Sequence, residues 1–366
     1  MKHLVIKSIG PLASVDISLN RINLIIGPQS AGKSCILKIA SFCAWIEKSI
    51  GLGQLKEVNV WSQIVDEHLT GFHNLEGYIS KESYFAYETD TMKFSYSFKD
   101  HSFAFEWKKG RWDYKRNKIA YIVAERNILS VVPNWYEMNF PNNSIRNFLK
   151  EWQNARNYSK GRMALPILNM GVKYDYDSQT GADKILLEDG KEMKLQNVSS
   201  GLQSLVPLFV LIDFITKGVF TLDMRSVKDI ESNIAKYDHS DIYLEEPEEN
   251  LFPETQHDLV NWMAELLNGE RKHTMFIATH SPYIMSAFNN LIQAGDIIEE
   301  SPEKEDEVRR IIGGNRAIKY DDVAAFAIAD GTVHGIKDDE LRLISPSELD
   351  TASDRISDVF NQLIQL

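Results

Sequence analysis

The chain has 366 residues, 43% hydrophobic and 25% charged, which excludes collagen-like, low-complexity and disordered classes and leaves one large domain or two. Forty Lys and Arg stand against 52 Asp and Glu, a formal charge of −12, so any nucleic-acid contact has to use a local basic patch. The densest apolar run, Leu205 to Ile215, is short for a membrane helix and carries Asp213, and the start MKHLVIKSIG returns to Lys7 and Ser8 too soon for a secretory signal. Cys35 and Cys43, eight apart, have no zinc-ligand spacing and do not staple a fold. The expectation is a soluble cytosolic protein with no membrane contact.

In chain order, Leu4 to Ile9, the alternating Val15-Ile17-Leu19 and the apolar run Ile22 to Ile26 read as strands. A glycine-rich turn follows, and then Ile36, Ile39, Ala40, Cys43 and Ile46 recur at helical spacing to about Ile50. Between Glu76 and Val123 alternating aromatics, Phe94-Tyr96-Phe98 and Phe103-Phe105-Trp107, predict an antiparallel meander, with Ile119 to Ala124 a further apolar run. Asn142 to Arg162 reads as a short helical excursion and Gly171 to Leu187 as a hairpin turning at Ser178 to Ala182. Gln203 to Ile215 is an apolar helix, Ile242 to Leu244 a buried strand, Glu254 to Leu267 an amphipathic helix and Thr274 to Ala278 another strand. The acidic stretch Glu299 to Glu307 reads as a solvated loop and Ser347 to Leu366 as a terminal helix. There is no internal repeat and no extended heptad run. The fold class is α/β.

Four constellations carry chemistry. Gly27-Pro28-Gln29-Ser30-Ala31-Gly32-Lys33-Ser34 satisfies the phosphate-loop pattern between a strand and a helix. Backbone N–H groups and the helix N-terminus suit phosphates, Lys33 reaches the β and γ phosphates, and Ser34 offers a hydroxyl to Mg²⁺. Glu245 and Glu246 end the second apolar strand, a pair suited to anchoring a magnesium shell and deprotonating a water; taken alone, such a turn is solvated surface. His280, in Thr279-His280-Ser281-Pro282, follows the next strand, at the end where open parallel sheets hold ligands. Ser199-Ser200-Gly201 leads into a helix and is either an ordinary N-cap or a second anion site.

Together and in this order, these motifs resemble the ABC-type ATPases of the SMC, RecF and OLD-like branch, and more narrowly the compact AAA-family ATPases that accompany bacterial anti-phage defence systems. The resemblance runs from about Met1 to Asn290. It implies an ATPase head with a mixed sheet, an antiparallel meander and a helical lobe: a nucleotide-binding core over 1–75 and 242–335, the meander over 76–125, a helical and signature lobe over 126–241 and a helical tail over 336–366. In its terms Gly27 to Ser34, with Cys35 following, is the Walker A loop, and Ser199, Ser200 and Gly201 are the signature. Glu245 is the magnesium-binding Walker B carboxylate, Glu246 the catalytic base, Asn250 to Pro253 the D-loop and His280 the switch histidine. Glu245 departs from the commoner aspartate, and Ser200 and Leu202 depart from the transporter signature. Gln54 and Gln63 both remain open for the Q-loop, and Arg126, in Tyr121 to Asn127, is a further candidate.

The resemblance implies ATP and Mg²⁺ as cofactors and a homodimer, or a higher assembly, in which the Walker A loop of one protomer and the signature of the other enclose each nucleotide. It further implies a switch that gates an effector such as a nuclease or toxin, in anti-phage defence. No paired-aspartate nuclease motif of the TOPRIM kind is found after His280. Alternatives are a RecF-like DNA-repair ATPase or an ATP-loaded scaffold with little turnover; a small-molecule kinase would not need Ser199 to Gly201. For DNA the candidate is 108–118, six basic residues with Trp112 and Tyr114, which also reads as a solvated hairpin.

Overall fold

A computed structural model describes residues 2–55, 61–132, 135–221, 236–345 and 359–364. Strands β1 (Lys2–Ile9), β2 (Leu12–Leu19) and β3 (Ile22–Ile26) lead through the glycine-rich turn into helix α1 (Lys33–Gly51). Strands β4 (Ile79–Glu88), β5 (Met92–Ser97) and β6 (Ser102–Trp107) form the meander, followed by β7 (Asn117–Ile122) and helix α2 (Ser144–Ser159). Short strands β8 (Leu165–Pro166), β9 (Val172–Asp177), β10 (Ala182–Leu187) and β11 (Glu192–Lys194) make a separate antiparallel sheet. Helix α3 (Ser200–Asp213), β12 (His239–Glu245), helix α4 (Pro253–Leu267), β13 (Thr274–Thr279), helix α5 (Pro282–Glu300), helix α6 (Glu305–Ile312), β14 (Val323–Ala329) and β15 (Thr332–Gly335) follow.

The main sheet, among the described residues, runs β6-β5-β4-β1-β2-β15-β14-β3-β13-β12-β7. Its half from β14 to β7 is parallel, and every residue of β3 is buried, as strands covered on both faces require. The other half is antiparallel except for the parallel contact of β15 with β2, and its β4 and β5 alternate inward and outward, with Phe85, Tyr87, Phe94 and Tyr96 pointing inward. Consecutive strands β6 and β7 occupy opposite edges. The link 108–116 reaches at most about 35 Å, whereas eleven strands laid flat span about 48 Å, so the sheet has to curl. Helix α1 fills the curl, touching β1 on one side and β7, β12 and β13 on the other.

Several elements differ from their sequence expectation. Ile119 to Ala124 does not extend the meander: β7 pairs in parallel with β12, Tyr121 beside Tyr243, and belongs to the parallel half of the sheet. The excursion at 142–162 is a sixteen-residue helix, N-capped by Asn143 and burying Phe148 and Trp152. Residues 126–241 also hold the small sheet, so that lobe is not purely helical. The acidic stretch 299–307 is helical, because acidic residues in the first turn of α6, Arg309 and Arg310 in its last and the Arg309–Glu305 ion pair all favour a helix that Gly313 then ends. Lys337–Asp338 and Leu343–Ile344 pair as strands inside the expected helical tail; Ser347 to Leu366 lies outside the described residues except for a helical turn at 359–364. The helix containing Leu205 to Ile215 runs on through a π-turn at Phe214–Gly218, so Ser200–Thr221 is long and apolar enough to cross a membrane, yet 89% of its most apolar window is buried inside the protein.

His73 lies beneath α1, with Nε2 3.2 Å from the Ser41 hydroxyl, and burial pulls its imidazole down to about 3. In the unfolded chain it takes a proton below about 6.5, so the unfolded state binds more protons between the two values and stability is lost as pH falls through this window. At pH 5 the loss from His73 is about 2 kcal/mol. Melting temperatures are expected to fall from pH 7 to pH 5, and His73→Gln to remove about half of that dependence, with His273, lowered to about 4 chiefly by burial, keeping the rest. Parallel pH profiles for the two proteins would contradict this.

Candidate functional site

The carboxyl ends of β3, β12 and β13 lie side by side and deliver the loop 27–32, Glu245-Glu246 and Thr279-His280 to one edge of the sheet. At the loop, Gly32 adopts φ +107°, and a Cβ there would stand 2.7 Å from Leu12 Cδ2; at Gly27 it would stand 3.2 Å from the Ile328 carbonyl oxygen. Ser30 is also left-handed, at φ +61°, and Pro28, Gln29 and Ser30 form an exposed rim with Ala31 half-buried behind them. Lys33 Nζ donates to the carbonyls of Gly27 (2.7 Å) and Pro28 (2.8 Å) and lies 3.2 Å from His280 Nδ1. Three acceptors thus occupy its three protons. Burial pulls this ammonium down to about 8, against the opposing Glu246 and Glu248 carboxylates.

His280 bridges the two halves of the site. With Lys33 donating to Nδ1, the ring proton sits on Nε2, 3.3 Å from the Glu246 carboxylate, and the His280 N–H donates to Glu248 at 2.5 Å. Glu246 holds φ +42° at the strand end, a costly conformation for a non-glycine residue. Glu245 is buried one residue earlier, its carboxylate accepting from the Tyr121 hydroxyl (2.5 Å) and the Ala124 N–H (3.3 Å). A cavity of about 160 Å³ is bordered by Lys33, Ser34, Lys38, Tyr78, Glu246 and His280 among others, while Glu245 and Glu248 do not border it. The Ser34 hydroxyl and the glutamate oxygens are hard donors of the kind Mg²⁺ takes, one or two at a time beside phosphate and water, so the residues present fit that ion. Cys35 borders the cavity, but its thiol is buried near the Ile9 carbonyl and pushed up to about 12.

Other expected residues lie elsewhere. Ser199 caps α3, accepting from the Leu202 N–H, and Ser200 and Gly201 open its first turn. None of the three borders the cavity. Gly201 packs against the turn after Glu246, where a Cβ would meet the Asn250 carbonyl oxygen at 3.0 Å, and Asn250 donates to the Ser204 hydroxyl. Neither Gln54 nor Gln63 borders the cavity, and Gln63 is bonded to Glu67. Arg126 is buried against the Glu245-Glu246 backbone. In the basic window 108–118, Lys108 pairs with Glu88, Lys115 with Asp238 and Lys118 with Glu151, Arg111 stacks on Trp107 and Trp112, and Arg116 lies over Tyr237. Another cleft, about 680 Å³ beside Arg271 and His273, is at the opposite, amino-terminal end of β13.

Sequence reasoning assigned no role to Glu248, Tyr121, Lys38 or Tyr78. Glu248 stands inside the acidic motif, and its spacing from Glu246 was the signal at hand; the other three meet the site only through tertiary folding.

Residues 115–285 match the model of the AAA ATPase domain. The chain is an ATPase whose residues 115–285 are similar to an AAA ATPase domain. The matched segment includes Ser199–Gly201, Glu245, Glu246 and His280, while the loop at 27–34 precedes it. Among solved structures this ATPase is similar to the SMC head domain from Thermotoga maritima (12% identity, 91% of this chain and 97% of that one, TM-score 0.42). It is also similar to the Smc head domain bound to the C-terminal domain of ScpA from Pyrococcus furiosus (11%, 92% and 96%, TM-score 0.41). A third is MJ1267, an ATP-binding cassette of an ABC transporter (11%, 97% and 99%, TM-score 0.37). No curated protein matches.

Because Gly32 combines a left-handed backbone with contact against Leu12, Gly32→Ala is expected to cost about 1–3 kcal/mol of stability and to weaken ATP binding. Thermal denaturation and a fluorescent-nucleotide titration check this; unaltered values in both would refute the assigned loop geometry.

Proposed function

We propose that this ATPase is a dimerisation switch: two copies enclose ATP between the Lys33 loop of one and the Ser199-Ser200-Gly201 turn of the other, and hydrolysis releases them. The observation that carries the reading is that Ser199 to Gly201, a capped helix N-terminus suited to an anion, does not border the chain's own cavity. Exposed Phe252 and Tyr283, just beyond the acidic turn and His280, supply apolar surface for a second copy.

In this reading the N–H groups of 27–35 and Lys33 hold the phosphates, with Lys33 exchanging its carbonyl partners for phosphate oxygens. Ser34 and Glu245 would hold Mg²⁺, which would supply charge neutralisation at the phosphates. Glu246 orients a water and takes its proton as the water oxygen joins the γ-phosphorus and the bond to the ADP oxygen breaks. His280, with its proton on Nε2 and beside Glu246, reports the γ-phosphate to that carboxylate. The gated effector, a nuclease or toxin serving phage defence, rests on the motif resemblance.

Glu246→Gln is expected to slow turnover at least a hundredfold and to trap the ATP-bound dimer. Light scattering should then show a doubled mass with ATP and Mg²⁺ and a single-chain mass without nucleotide; a mass that ignores ATP contradicts the switch.

A further inference from the structure

The Arg126 side chain is fully buried and does not border the cavity. Its guanidinium reaches three backbone carbonyls in two segments. Nη1 donates to the Glu245 carbonyl at 3.0 Å, Nη2 to the Glu246 carbonyl at 2.6 Å, and Nε to the Ser204 carbonyl in the first turns of α3 at 3.2 Å. The Glu249 carboxylate lies 3.7 Å from Nη2 and balances the charge. A second contact spans the same junction, since Asn250 donates to the Ser204 hydroxyl.

These contacts join two parts of the chain that face different nucleotides. Glu246 borders the chain's own cavity, whereas Ser199 to Gly201, at the start of the helix that holds Ser204, do not. We propose that Arg126 is a positioning residue that couples the two composite sites, transmitting the seating of α3 on a partner's nucleotide to the backbone that aims Glu246. This rests on the dimer reading above. The left-handed Glu246 persists only where its surroundings over-determine it, and two parallel N–H···O bonds to consecutive carbonyls are such a constraint. A shift of α3 moves Ser204, which pulls on Nε of the same rigid, planar fork and so on both carbonyls. The coupling is within one chain but between sites, so a ligand at one site biases catalysis at the other.

The test compares the full-length wild type with Arg126→Gln and Arg126→Lys in steady-state hydrolysis against ATP concentration, with fluorescent-nucleotide affinity and ATP-dependent mass measured alongside. The wild type is expected to double in mass with ATP and to hydrolyse with a Hill coefficient above 1. Arg126→Gln should keep its nucleotide affinity, lose turnover on the order of a hundredfold and show a Hill coefficient of 1. Lysine should not restore it, because an ammonium cannot make the paired bonds. Wild-type cooperativity in Arg126→Gln overturns the inference, whatever its rate, since a merely structural arginine would change melting temperature and not the Hill coefficient. If Arg126→Gln does not fold, Glu249→Gln, which removes the balancing carboxylate, carries the same readout: a lowered Hill coefficient supports the coupling and an unchanged one overturns it. A wild type that neither cooperates nor gains mass with ATP is a separate result and sinks the dimer reading itself.

Discussion

An ammonium withdrawn from water needs an acceptor for each of its protons, and Lys33 finds them in two carbonyls of its own loop and one nitrogen of His280. This satisfied lysine organises the edge of the sheet. By donating to Nδ1 it fixes the histidine proton on Nε2, which then faces Glu246, while the His280 N–H holds Glu248. Three strand ends are thereby tied together by charge before any phosphate arrives. Burial lowers the basicity of this lysine, against the opposing Glu246 and Glu248 carboxylates.

The curled sheet makes this convergence possible. The nucleotide-facing half is parallel, so its carboxyl ends share one edge, while the antiparallel half wraps around α1 and returns the chain through 108–116 to β7. That return delivers Tyr121 and Arg126 to the far side of the acidic strand. Tyr121 and the Ala124 N–H cover the Glu245 carboxylate, and Arg126 covers the carbonyls beside it. The acidic motif is thus gripped from both sides, by His280 and Lys33 in front and by the β7 segment behind.

Much of this was legible in the sequence where the signal is local. The all-apolar Ile22 to Ile26, the glycine spacing of 27–34 and the helical recurrence from Ile36 to Ile46 specify strand, loop and helix without reference to anything distant. The acidic pair and His280 were readable because each ends a short buried strand. What was not legible depends on pairing across long separations: β7 carries the same apolar texture as the meander, and only its register with β12 moves it to the other edge. Residues 299–307 were misread because acidic density was taken for solvation, when its placement at a helix start and the answering Arg309 stabilise a helix. Arg126 was readable as a candidate within Tyr121 to Asn127, but what it holds was not, since its partners are main-chain oxygens 78 to 120 residues away.

The central claim, that one chain supplies only half of each nucleotide enclosure, is tested most directly by mixing two inactive proteins. Lys33→Met lacks a working phosphate loop and Ser199→Arg lacks a working cap for the partner's nucleotide; in a mixed dimer one of the two sites draws both of its parts from undamaged surfaces. Equimolar mixing should therefore restore hydrolysis, to at most about a quarter of the wild-type rate from half the dimers carrying one sound site each, and to less where the empty second site leaves Glu246 uncoupled. Activity in Ser199→Arg alone, or none in the mixture, would contradict the account.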